Sequence, residues 1–404
     1  MATDATEDRL FRPRPAGPDV WRMVRHGQMT IVTRIPASAA IETDGNDVYG
    51  RVVMPTPCLR VDVHAKNCFA FYLNLQCEDN GAPGTRDRYD MANDIKIIAG
   101  TSHPALAQDI SNHLRVPLSA TEIIRFGNEN ILFQSLENVR ESDVFVIQTS
   151  CPPVSDFLVE LLIIIDALKH ASARRVTAVL PYFPYARSDK KDRPRISITA
   201  RLMADLLETA GADRVLTMNL HSPQVGGFFR IPVDQLNATP VVCDRLRETT
   251  AMENTVLVAG DVSEAKDLGD YANRLNLPIA VVDKRRVDDS ENAEAVALIG
   301  DVQGKNGLII DDEIASGGTM IEAARFIGAH GAIRIEAAAV HPVLSGNAIR
   351  RIEDSPIERL VVTDTIPLPA ETPSDKIEVV SVAHLFADAI HAIHTGESVS
   401  ALFT

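Results

Sequence analysis

The 404-residue sequence is short of positive charge, of patterned cysteines and of long apolar runs. Lysine and arginine number 40 against 55 acidic residues, a net charge of −15. No global positive field exists to gather phosphates, which argues against a general nucleic-acid binder and an anionic-membrane binder. A local cationic loop can still hold a nucleotide. The five cysteines, at 58, 68, 77, 151 and 243, form no CxxC pair and no zinc spacing, so a reduced cytoplasmic setting is expected. The most apolar stretch, Phe157–Leu168, contains Glu160 and Asp166 and is too short to span a bilayer. The chain opens on acidic and Pro-rich residues rather than a signal-peptide run. A soluble intracellular protein is the expectation.

Length alone suggests two or three domains at about 150 residues each. Residues 1–90 differ in texture from the rest, with Trp21, three of the five cysteines, and ten Arg against one Lys. Phe11–Pro18 reads as disordered. Alternation at Thr30–Arg34 and Cys58–His64, and the aromatic run Phe69–Leu75, suggest short strands. Met91 followed by a short polar lead also reads as a natural start, so this extension is either β-rich or a misassigned start. From Ile95 onward, strand-like runs at Ile95–Ala99, Val144–Gln148, Val176–Pro181, Val215–Asn219, Val256–Ala259, Ile279–Asp283, Gly307–Asp312, Ile335–Val340 and Leu360–Thr363 alternate with helical stretches such as Val154–His170, Ile198–Ala210, Asp267–Leu275 and Met320–His330. That pattern predicts an α/β fold with parallel sheets covered on both faces. Two successive domains, 91–240 and 241–404, fit the strand tally, and the last segment is expected to pack back on the first domain. Val382–His394, with its three histidines, reads as an amphipathic helix rather than a metal site.

The sharpest motif is Leu308-Ile-Ile-Asp311-Asp312-Glu313-Ile314-Ala315-Ser316-Gly317-Gly318-Thr319, running into a helix. A buried strand ends in two carboxylates, and a small-residue turn then opens the helix. The glycines let the backbone approach an anion, the hydroxyls add donors, and the helix N-terminus supplies N–H groups and a positive dipole end. Asp311 and Asp312 suit a vicinal diol or its magnesium. Phosphate plus diol on one loop points to a ribose phosphate.

This motif resembles the fingerprint of type I phosphoribosyltransferase folds. Further segments narrow the resemblance to the ribose-phosphate pyrophosphokinases (PRPP synthetases). They are Arg125–Asn130, Glu137–Arg140, Pro181–Asp189, Asn219–His221, Gly227–Phe229, Asp283–Arg286, His341–Gly346 and Glu397–Phe403, in order from about Ile95 to the C-terminus. The resemblance implies two tandem type I phosphoribosyltransferase-like domains, each a mainly parallel sheet flanked by helices. It implies transfer of diphosphate from ATP to the anomeric hydroxyl of ribose 5-phosphate, giving PRPP and AMP, with Mg2+ as cofactor and a homo-oligomer, a hexamer in the family.

By the same resemblance Lys284 and Arg286 are the catalytic cations, and His221 and Asp261 the metal ligands. Phe126, Asn128, Asn130, Arg187 and Ser188 contact ATP, with the adenine loop acting across a subunit boundary. Asp311, Asp312, Ala315, Ser316, Gly317, Gly318 and Thr319 hold ribose 5-phosphate. Arg140, Arg195, Ser398, Ser400 and Phe403 match a regulatory phosphate site. The sequence departs from the family pattern at Asn219, Arg230, Glu264 and Ala315. Asn219 is expected to keep an oxygen ligand while removing a charge, and Glu264 puts negative charge near the polyphosphate. These departures keep open a weakly active or inactive regulatory subunit as an alternative. A PRPP-consuming phosphoribosyltransferase ranks lower, since it leaves Asp283–Arg286 and the second domain unexplained.

Overall fold

The structure, a computed structural model, describes residues 95–261, 265, 268–286, 293–369 and 373–400, with the backbone of six earlier strands. Side chains of residues 284–286 and 293–296 fall outside that description. The chain divides into two compact units, Met1–Arg86 and Asp87–Thr404.

The first unit contains three antiparallel two-stranded ladders. They pair β1 (Asp19–His26) with β2 (Met29–Pro36), β3 (Ala40–Thr43) with β4 (Gly50–Val53), and β5 (Arg60–His64) with β6 (Tyr72–Gln76). The three runs expected to be strands overlap β2, β5 and β6. Phe11–Pro18 and the cysteines at 58, 68 and 77 lie outside the described residues.

The second unit alternates strand and helix. It begins β7 (Ile95–Ala99), α1 (Pro104–Leu114), β8 (Thr121–Arg125), β9 (Ile131–Ser135), β10 (Asp143–Ile147) and α2 (Val154–His170). There follow β11 (Arg175–Leu180), α3 (Thr199–Ala210), β12 (Arg214–Met218), β13 (Val233–Leu236) and α4 (Thr239–Thr249). These strands, apart from the β8–β9 hairpin, form a parallel sheet ordered β13-β12-β11-β10-β7.

A second sheet repeats the recipe. Its elements are β14 (Thr255–Ala259), α5 (Leu268–Leu275), β15 (Ile279–Arg286), β16 (Ala293–Ile299), β17 (Asn306–Glu313) and α6 (Gly318–Ala329). Then come β18 (Arg334–His341), α7 (Ala348–Glu353), β19 (Arg359–Thr363), β20 (Ile377–Val380) and α8 (Ala383–Thr395). The order is β16-β15-β14-β17-β18-β19-β20, with only β16 antiparallel to its neighbour.

Near-continuous apolar strands make sense here because both faces of each sheet are covered. Alternate residues go to opposite sides. Ile97, Phe145, Ile147 and Leu216 of the first sheet share one core with Leu257, Leu308, Ile310 and Val361 of the second. Their strand neighbours Ile98, Val144 and Val146, and Val258, Ile309 and Val362, fill two separate outer cores.

The closing helices are exchanged. Helix α4 follows the last strand of the first sheet but packs on β18–β20 and α5 of the second. Helix α8 follows the last strand of the second sheet but packs on α1. Its end is tied to the first sheet, where His394 Nδ1 lies 2.8 Å from Asp143 Oδ2 and Arg175 donates to the Ile393 carbonyl at 3.0 Å.

Candidate active site

In the second sheet β14 is followed by β15 on one side, while β17 lies on its other side. That reversal creates a crevice at the carboxyl ends of β14 and β17, the usual ligand position in open α/β sheets. Asp261 stands just beyond β14, and β17 ends through Asp311, Asp312 and Glu313. Helix α6 opens from Gly317, whose φ is +72°. A side chain there would be strained, and its Cβ would lie 3.3 Å from Ile321 Cδ1.

The first sheet's strand ends meet this crevice. His221, three residues past β12, places Nδ1 2.6 Å from Asp312 Oδ2. That hydrogen bond raises the imidazole above its ordinary value. Burial pushes the Asp312 carboxyl up, but hydrogen bonding and charge from His221 outweigh it and hold the group at about 2. The Asp312 N–H donates to Asp311 Oδ1 at 2.8 Å, which fixes the adjacent carboxylate.

Tyr182, Glu313, His341, Thr149 and Thr365 also join the two sheets here, and the sequence assigns them no role. Glu313 is buried and accepts from the Tyr182 hydroxyl at 2.8 Å, while Arg187 Nη1 lies 3.2 Å from its other oxygen. Burial, reinforced by the Asp312 charge, raises the Glu313 carboxyl despite those two partners. His341 is buried at the end of β18, and burial pushes it down to about 4, so its ring is neutral. Its Nε2 faces the carbonyls of Met218 and Asn219 at 3.2 and 3.1 Å and must carry the proton. Nδ1 therefore accepts from Thr365 Oγ1 at 2.9 Å. Thr149, beyond β10, donates to the Thr365 carbonyl at 2.6 Å. These contacts span up to 216 positions of sequence, and no spacing rule reveals them.

Other expected site residues are distributed more widely. Phe126–Asn130 form the tip of the β8–β9 hairpin. Phe126 N–H donates to the Asn130 carbonyl, Asn128 Oδ1 accepts from Asn130 N–H at 3.2 Å, and the Phe126 ring is 47% exposed. Ser188 is engaged locally, since its Oγ accepts from Thr199 N–H at 3.3 Å at the start of α3. Asn219 also differs from expectation. Its amide oxygen accepts from Ala238 N–H at 2.8 Å, so it serves the entry to α4 rather than an open ligand position.

Lys284 and Arg286 lie at the end of β15, where the β15–β16 register shifts between Asp283 and Lys284. Their side chains, with Glu264 and Phe403, fall outside the described residues. Arg140 donates to Ser172 Oγ at 3.2 Å, and Arg195, Ser398 and Ser400 are exposed. Arg230 sits near Asp205 and Glu208 on α3, away from the crevice's own pairs.

Among the described residues no cluster of three or more His, Cys, Asp or Glu makes a protein cage for a metal. The donor set suits Mg2+ all the same. That ion keeps several waters and takes one or two protein ligands beside substrate phosphates. His221 is oriented through Nδ1 by a carboxylate, the usual outer support of a ligating imidazole.

Residues 95–211 match the family model of the N-terminal domain of ribose phosphate pyrophosphokinase, and residues 287–404 match that of the phosphoribosyl synthetase-associated domain. The chain is 47% identical over 312 residues to the ribose-phosphate pyrophosphokinase of Caldanaerobacter subterraneus, covering 77% of this chain and 98% of that one. The chain belongs to the ribose-phosphate pyrophosphokinase family. A second relative, ribose-phosphate pyrophosphokinase 4 of Saccharomyces cerevisiae, is 44% identical over 324 residues, covering 79% and 98% of the two chains. The phosphoribosylpyrophosphate synthetase of Mycobacterium smegmatis, a crystal structure, superposes with a TM-score of 0.71 at 37% identity, covering 75% of this chain and 99% of that one. Membership of this enzyme family accounts for both sheets and disfavours the regulatory-subunit and PRPP-consuming alternatives. Among the described residues no helix is long and apolar enough to cross a membrane.

Proposed function

We propose that the chain transfers the diphosphoryl group of ATP to the anomeric hydroxyl of ribose 5-phosphate, releasing PRPP and AMP. The observation that carries this reading is the His221–Asp312 pair, 2.6 Å apart, which joins the two sheets beside the Gly317–Gly318 turn. A phosphate at the start of α6 leaves the sugar's diol within the province of Asp311 and Asp312.

Attack at the β-phosphorus spreads charge over several oxygens, so positioning and cations supply most of the acceleration. Lys284 and Arg286 are the proposed source of those cations on the protein. Arg187 is held on the crevice side by Glu313 and is the proposed ATP contact from the first sheet. Phe126 and Asn128 are the proposed adenine contacts, and the exposed Phe126 supports a homo-oligomer in which a second copy completes that subsite. His221 and Asp261 would hold Mg2+, which would supply positive charge against the charge developing on the phosphate oxygens. Arg140, Arg195, Ser398, Ser400 and Phe403 remain the proposed regulatory phosphate site.

Residues 91–240 and 241–404 are the proposed domains, each with its own mainly parallel sheet. The free, buried Cys151 and Cys243 support a reducing, cytoplasmic setting. The test is AMP and PRPP formation from ATP, ribose 5-phosphate and Mg2+. Absence of both products, with the protein folded, overturns the reading. His221→Ala should raise the Mg2+ concentration for half-maximal rate, and an unchanged Mg2+ dependence removes His221 from the metal.

A further inference from the structure

The carbonyls of the turn between β17 and α6 are all engaged. Leu344 N–H donates to the Ile314 carbonyl at 2.9 Å, and Ser345 N–H donates to the Ala315 carbonyl at 3.0 Å. Arg351, on α7, donates from Nη1 to the Ser316 carbonyl at 2.9 Å. Ile321 N–H takes the Gly317 carbonyl at 3.0 Å. Four successive carbonyls are thus fixed. A trans peptide is planar, with its N–H opposed to its C=O. Fixing the carbonyls of residues 314–317 therefore turns the N–H groups of Ala315, Ser316, Gly317 and Gly318 away from those donors. Among the described residues, the N–H groups of Ala315, Ser316 and Gly317 meet no acceptor. Successive N–H groups aimed one way make an anion nest.

Three of the four carbonyls are held by residues 344–351, and two of those donors are backbone groups that substitution leaves in place. Arg351 is the exception. Its guanidinium has the Ser316 carbonyl as its hydrogen-bond partner and makes no ion pair among the described residues. The same guanidinium lies 3.6 Å from where a Gly318 Cβ would stand, so it flanks the first residue of α6. An arginine that holds one carbonyl, with no carboxylate partner among the described residues, is poorly explained as a stability device. It is well explained as a brace that sets the Ser316–Gly317 peptide.

We infer that Arg351 is a positioning residue for the sugar's 5-phosphate: by holding the Ser316 carbonyl it orients the Gly317 N–H toward that anion. The inference rests on the proposed ribose-phosphate reading of this turn. The brace acts on phosphate recognition and leaves the diol and the ATP contacts alone.

The test uses the full chain and compares Arg351→Met, which keeps the stem and removes the donors, with Arg351→Lys, which keeps one donor. Arg351→Met should raise KM for ribose 5-phosphate by roughly tenfold or more, the worth of a charged hydrogen bond. Turnover and KM for ATP should stay within about twofold. Arg351→Lys should recover part of the loss. Binding of ribose 5-phosphate by calorimetry should weaken in parallel, while unphosphorylated ribose, used as an alternative acceptor, should be handled equally by all three proteins. An equal loss on ribose, or a loss confined to turnover, overturns the role. So does an unchanged KM in Arg351→Met. Gly318→Val separates the two levels, because it puts a side chain into the turn itself. If Gly318→Val weakens ribose 5-phosphate binding and Arg351→Met does not, the brace alone fails. If neither does, with melting temperatures held, the ribose-phosphate reading of the turn fails with it.

Discussion

The two sheets of the second unit are assembled from the same elements in the same order, but they treat their hairpins differently. Each opens with a strand and a helix, continues with a hairpin, then lays down four strands with helices between, and closes with a helix. In the second sheet the hairpin is absorbed. β15 pairs in parallel with β14 on the side away from β17, so the direction of growth reverses and leaves a crevice. In the first sheet β8 and β9 pair with each other, and β7 remains the edge beside β10. The strands then advance one way and no reversal arises. Turn chemistry follows the topology. Gly317 and Gly318 lead from β17 into α6, whereas Pro152 and Pro153 lead from β10 into α2 and have no N–H for an anion. A repeated fold has yielded one ligand crevice and one supporting wall.

If the first sheet is a wall, its most sensitive point is where α8 is fastened to it. Asp143 is fully buried between Arg175 and His394. Asp143→Asn leaves the Arg175 guanidinium without its carboxylate and should cost about 3–5 kcal/mol in urea unfolding, with turnover per folded molecule unchanged. Burial alone raises this carboxyl, but hydrogen bonds from His394 and Arg175 outweigh it and hold it below its usual 3.8. Its contribution is therefore complete above that value and is lost as pH falls through the lowered one. The wild type should lose stability on that limb, and Asp143→Asn should show a flatter acid profile. Equal acid slopes in the two proteins would refute this.

The crevice is probed next. Lys284→Ala or Arg286→Ala should lower kcat by about 10²–10³-fold, or about 2.7–4 kcal/mol, with smaller changes in KM. A double variant that keeps most of its turnover removes β15 from the chemistry. It also dissolves the contrast between the absorbed and the detached hairpin.

Smaller again is the seam between wall and crevice. His341→Leu strips the Met218 and Asn219 carbonyls of their donor and should cost about 1–3 kcal/mol. It should also raise the Mg2+ requirement, because His221 follows Asn219 by two positions. A variant that loses stability with an unchanged Mg2+ requirement limits His341 to packing. The smallest effect is expected outside the second unit. Every proposed site residue lies beyond residue 90, so removal of residues 1–90 should leave turnover and KM within about twofold. An inactive shortened chain, beside an active full one, would make the first unit part of the enzyme.

The sequence was most readable where one local rule governs. Val154–His170 is a helix with the expected bounds, and Ile95–Ala99 is a strand with the expected bounds, because apolar period and punctuation agree there. The Asp311–Thr319 turn was readable because glycine, hydroxyl and carboxylate sit in one short run. Strand β13, only four residues with a half-polar pattern, escaped notice, as did β16, an edge strand rich in alanine. Helix α1 starts from His103 and proline rather than a Ser, Thr, Asp or Asn cap, and it too was not marked. The seam was invisible for a different reason. Tyr182, Glu313, His341 and Thr365 acquire their roles only when two sheets dock, and tertiary docking leaves no periodic trace.

The exchange of α4 and α8 sets a timetable for synthesis. The first sheet leaves the ribosome early, yet the helix fastened to Asp143 and Arg175 follows much later, with Ile393 218 positions beyond Arg175. At typical elongation rates that delay is on the order of ten seconds or more. During it, apolar side chains such as Leu106 and Ile110, destined for the shared core, lack their final cover. Apolar surface exposed in this way makes the tethered chain the stage most open to misassembly. A premature stop before residue 383 should send the N-terminal half, not the C-terminal end, to the proteases first.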